Sequence, residues 1–92
     1  MNILEKTLDY LDNEFIDFRK FVSRQTSAPS IPSREDERKL IEFTRKATLD
    51  RGMGVVMFVQ SLGVAYDDIK APYDEFKQNI NILADYAKGA IE

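Results

Sequence analysis

Apolar residues recur at alternating intervals of four and three near both ends of the chain: Leu4, Leu8, Leu11, Phe15, Phe18 and Val22, then Ile69, Tyr73, Phe76, Ile80, Leu83, Ala87 and Ala90. That spacing keeps one stripe of an α-helix facing a partner, whereas a half-buried strand alternates every two residues. The first seam predicts a helix over about residues 3–24, with Asn2 placed to cap its free N–H groups. The second predicts a last helix over about residues 72–88, opening on Pro72, whose missing N–H costs nothing at a first helical position. Residues 65–71 then form a connector or short helix.

Between the seams, residues 25–33 contain two prolines and four Ser or Thr residues. This composition denies the backbone its helical hydrogen bonds and reads as a linker. Ser33 followed by Glu35, Asp36 and Glu37 marks a helix start, a hydroxyl at the cap with acids beside the positive end of the dipole. The helix it opens runs over about 34–51, with Leu40, Ile41, Phe43, Thr44 and Ala47 expected inside.

Gly52-Met53-Gly54 then forces a choice between a kink and a break, because two glycines cost a helix about 2 kcal/mol relative to alanine. From Gly52 to Tyr66 no residue is charged. A helix over about 53–62 would therefore be apolar all round, and must be either central in a bundle or part of a subunit interface. Leu62-Gly63-Val64 has the form of a Schellman stop, with Gly63 left-handed and Val64 folded back on the preceding turn. The expected fold is all-α: a single-domain, small antiparallel helical bundle of three principal helices, or four if the chain breaks near residues 52–54.

Composition narrows the chemistry. Over 92 residues there is no Cys, no His and no Trp, so disulfides, thiolate metal sites and the commonest general base and metal ligand are all missing. Neither a catalytic residue nor a metal or other cofactor is expected, and the chain reads as no enzyme. Carboxylates such as Asp9, Asp12 and Glu14 lie off the first seam, and a di-metal bundle would need Glu-x-x-His pairs that are not there. Gly52-Met53-Gly54 lacks the Gly-Lys-Ser or Gly-Lys-Thr of a phosphate loop. Five acids in the first eighteen residues, and no apolar stretch of about 20, imply neither a secretory leader nor a membrane span, and so a cytoplasmic location.

The net charge of −3 conceals segregation: residues 1–18 carry one Lys against five acids, residues 19–51 nine bases against five acids, and residues 52–92 three bases against six acids. Arg19, Lys20, Arg24, Arg34, Arg38 and Lys39 would gather near the linker in an antiparallel arrangement, a candidate site for a small anionic ligand such as a nucleotide. The stretch from Phe58 to Ile69 resembles a helix-turn-helix in spacing. Its second helix would present Asp67, Asp68, Asp74 and Glu75 against Lys70, a charge balance that repels a phosphate backbone. Nucleic acid is accordingly a lesser alternative partner.

The favoured expectation is a small protein–protein interaction module, an adaptor, inhibitor or regulatory protein that binds another protein or itself as a homodimer. Tyr10, Ile16 and Phe21 lie off the first seam, and Val55, Val56, Met57 and Val59 belong to the uncharged stretch. These seven residues form the candidate partner interface.

Overall fold

The computed structural model describes residues 2–27 and 33–91, and places them in three helices: α1 (Ile3–Ser27), α2 (Arg34–Ser61) and α3 (Tyr66–Ile91). Each helix packs against the other two. A helix of this length is about 40 Å long, so the 47 × 19 × 17 Å body is three rods lying side by side. No described helix is long and apolar enough to cross a membrane.

The caps follow the residues that announce them. Asn2 Oδ1 accepts the Glu5 N–H at 2.8 Å, and the Glu5 carboxylate accepts from Asn2 Nδ2 at 3.2 Å, a reciprocal closure of the first turn of α1. Ser33 Oγ accepts the Asp36 N–H at 3.3 Å and opens α2. At the far end of α2 the Val64 N–H reaches the Val59 carbonyl and the Gly63 N–H the Gln60 carbonyl, with Gly63 at φ 101°. These are the two bonds of the Schellman stop anticipated at Leu62-Gly63-Val64.

Four boundaries differ from expectation, one of them simply the end of α3, which runs to Ile91 and not to about residue 88. Helix α1 continues to Ser27, so residues 25–27 are helical, while residues 28–32 of the anticipated linker lie outside the described residues. Helix α2 passes through Gly52-Met53-Gly54 without interruption, because Gly52 is buried directly under Phe76 of α3: a Cβ on Gly52 would stand 2.6 Å from Phe76 Cε2. The close approach that glycine permits here offsets its poor helix propensity. Helix α3 starts at Tyr66, which leaves Pro72 within the helix and not at its first position. Pro72 can donate no hydrogen bond to the Asp68 carbonyl, and such an interior proline costs about 3 kcal/mol. The second seam, which already begins at Ile69, holds the helix together across it.

The core is the meeting of the two seams with one stripe of α2. Leu11, Phe18 and Val22 of α1, Ile41, Val56 and Val59 of α2, and Ile69, Tyr73, Phe76, Ile80, Ala84 and Ala87 of α3 are all buried. Thr7, Thr48 and Glu37 are buried with them. The two threonine hydroxyls donate to the carbonyls four residues back, Ile3 and Thr44, each at 2.8 Å, which removes the cost of burying a polar group. On α2 the inner stripe is Ile41, Thr48, Gly52, Val56 and Val59. Phe43, expected inside, is 72% exposed: two residues from Ile41, it lies about 200° round the helix.

A candidate interaction surface

Pairs across the helix contacts set the directions of the rods. Arg51 of α2 holds Glu14 of α1 through two parallel bonds, Nε to Oε1 at 3.1 Å and Nη2 to Oε2 at 2.8 Å. On the other flank of α2, Glu42 accepts from Arg45 at 2.9 Å and from Lys88 of α3 at 2.6 Å, while Arg45 Nη1 donates to Asn81 Oδ1 at 2.8 Å. Together with Gly52 beneath Phe76, these contacts run α2 antiparallel to α3 along its length. The Glu42 carboxyl is held down to about 2 by its bonds from Arg45 and then Lys88. Tyr10, beside the Glu14 and Arg51 pair, has its hydroxyl pushed up by burial first and then by the Glu14 carboxylate.

These ties decide the fate of the basic belt. Arg45 and Arg51 join helices to one another. Lys39 pairs with Glu35 one turn away at 3.5 Å, and Arg34 and Arg38 are also engaged in interactions of their own. Arg19, Lys20 and Arg24 are exposed on α1. Arg19 and Arg24 are five residues apart, about 140° round the helix, so they point to different sides. Of the six bases of the candidate anion site, Arg19 and Arg24 thus diverge, and Arg34, Arg38 and Lys39 already have interactions within the chain.

The stretch from Phe58 to Ile69 forms the tight turn of an antiparallel hairpin. A helix-turn-helix sets its helices at about 90–120°. Here α2 and α3 lie alongside each other, so the resemblance in spacing does not extend to the geometry.

The seven candidate interface residues divide. Val56 and Val59 are 2% and 4% exposed and belong to the chain's own core. Val55, Tyr10 and Phe21 are half-buried and pack against that core. Ile16 and Met57 are on the outside, Met57 at 61%. What surrounds Met57 was not among the seven. Met53, Phe58 and Leu62 are 46, 61 and 54% exposed, and a Cβ on Gly54 would meet nothing from another helix within 4 Å. These uncharged residues therefore cover the solvent-facing half of the last turns of α2 and its C-cap, Met53, Met57 and Gly54 within about 100° of one another and Phe58 and Leu62 next to them. The signal for this surface was present in the chain: with α2 unbroken, the inner stripe of Ile41, Thr48, Gly52, Val56 and Val59 leaves positions 53, 54, 57 and 58 outside.

Tyr86 and Ile82 of α3, 69 and 67% exposed and four residues apart, form a smaller apolar pair. A shallow groove between α1 and α3 is rimmed by Asp12, Glu75 and Asn79. Among the described residues no group of three or more carboxylates comes together to hold a metal ion.

The architecture defines the class, an up-down-up three-helix bundle. No protein-family model, curated protein or solved structure matches the chain.

Proposed function

We propose that this chain is a non-enzymatic protein–protein interaction module, a small cytoplasmic adaptor, inhibitor or regulator, and that it self-associates through the outer side of α2. The observation that carries the reading is the exposure of Met53, Met57, Phe58 and Leu62 across the solvent-facing half of the last turns of α2 and its C-cap, a stretch that bears no charge between Gly52 and Tyr66. Their exposed parts amount to roughly 400 Å² of apolar surface, large enough to mark an interaction site and about half of one side of a standard interface. Methionine suits such a surface because its unbranched chain adapts to the side chains opposite. Gly54 adds a point of close backbone approach that the chain itself does not use.

Two copies can bring these faces together without setting like charges against each other, which favours a second copy as the partner. Light scattering at micromolar concentration tests the reading directly. A dimer that Met57→Glu or Phe58→Glu converts to a helical monomer supports it, and a wild-type monomer at tens of micromolar overturns it.

A further inference from the structure

The groove between α1 and α3 has a volume of about 190 Å³. Its floor is apolar: Leu8, Leu11 and Phe15 from α1, Pro72 and Phe76 from α3. Asp12 stands on one rim and Glu75 on the other. Asp12 continues a stripe begun by Glu5 and Asp9, seven and three residues earlier, and Glu75 shares its side of α3 with Asp68, seven residues earlier. All five carboxylates are exposed. None is in an ion pair among the described residues.

Arg19, seven residues beyond Asp12 on the same side of α1, bounds the first stripe about 10 Å further along the helix and pairs with none of these carboxylates; the nearer bases are turned elsewhere. Lys70 and Lys77 are drawn to Asp74 at 2.9 and 3.4 Å, and Lys77 Nζ lies 4.3 Å from the centre of the Tyr73 ring. Lys6 is exposed one turn before Tyr10, which lies beside Arg51 of α2, and helical spacing puts the two on one side of α1. An apolar floor is thus flanked on both sides by carboxylates that no described base pairs with.

We propose that this groove receives a basic amphipathic helix of another protein. The partner would lay apolar side chains on Leu8, Phe15 and Phe76 and set Lys or Arg against the two carboxylate stripes. Charge complementarity selects the sign of the partner. The size of the groove selects its kind: a volume below the roughly 300–1,000 Å³ of small-molecule sites holds one or two side chains, while the stripe from Glu5 to Asp12 extends along α1 for about 10 Å. A helix lying lengthwise meets both conditions. The surface is separate from the outer side of α2, so the proposal stands whether or not the chain self-associates.

Backbone amide shifts recorded during titration with a designed amphipathic leucine–lysine helix test it. The expected result is a set of shifts centred on Leu8, Asp12, Phe15, Glu75 and Asn79. Affinity should fall at least fivefold in the double variant Asp12→Asn, Glu75→Gln, whose exposed substitutions leave the helical circular dichroism unchanged. A leucine–glutamate helix should not bind, and a serine–lysine peptide lacking the apolar face should bind at least fivefold more weakly. Equal binding of either control, full affinity in the double variant, shifts centred on α2, or no groove shifts at millimolar peptide would each overturn the proposal.

Discussion

Gly52 of α2 lies against the ring of Phe76 of α3, so close that a Cβ on the glycine would come within 2.6 Å of the ring. Phe76 is 4% exposed and packed in the core, with open space beside it only on the side of the groove towards α1 among the described cavities, so it gives way only in part. Gly52→Ala gains about 1 kcal/mol of helix propensity but overpacks the contact, at about 1–3 kcal/mol. The expected net is a loss of about 1 kcal/mol in urea denaturation. Gly54→Ala, two residues on and facing open space, should instead stabilise the fold by about 1 kcal/mol. Opposite signs from the same substitution on neighbouring glycines are the outcome to look for.

Arg51 and Glu14 should show measurable coupling. The pair is bidentate, and the Glu14 side chain is only 13% exposed, although Arg51 is half exposed. A double-mutant cycle with Glu14→Gln and Arg51→Gln should yield about 1 kcal/mol, at the upper end for surface pairs. Values near zero would show that the ion pair does not help hold α1 on α2.

Acid should weaken the contact between α2 and α3 at Glu42. Its carboxyl is depressed to about 2 in the folded chain by Arg45 and Lys88, against 4.5 ordinarily. The unfolded chain therefore takes up this proton first as pH falls. The contribution is complete above about pH 4.5 and is lost as pH drops through about 2. With the Glu42 side chain 41% exposed, solvent screening limits the gain to under about 1 kcal/mol. Glu42→Gln should flatten the stability profile between pH 5 and 2, measured by denaturation at each pH, and an unchanged slope would count against the assignment.

Gly63 ends α2 at φ 101°. An alanine there has open space for its methyl group but must adopt a left-handed backbone. Gly63→Ala should cost about 1 kcal/mol through strain alone. Gly89→Ala, where space is open and φ is not positive, gives the comparison and should not destabilise.

The outer side of α2 separates surface from core within two residues. Met57→Glu should keep the circular dichroism and cooperative melting of the wild type, whereas Val56→Glu should unfold the chain by burying an unpaired charge. Equal tolerance of both would mean that Val56 is not in the core.

Local chemistry was legible in the order of residues. The four-three seams on α1 and α3, the caps at Asn2 and Ser33, and the stop at Gly63 each depend on groups within a turn of one another, so periodicity and side-chain type suffice to place them. Continuity through residues 52–54 and across Pro72 was not legible, because each is decided by a partner distant in sequence: Phe76 over Gly52, and the seam that keeps α3 whole. The same holds for the candidate surfaces. Uncharged character from Gly52 to Tyr66 can be read from the chain, but only packing assigns Val56 and Val59 to the interior and leaves Met57 and Phe58 outside. The chain by itself determined that helices form, where α1 and α2 start and where α2 stops. Tertiary structure decided which residues face inward and which carboxylates are left without a cation, because burial and charge pairing are properties of neighbours that folding alone brings together.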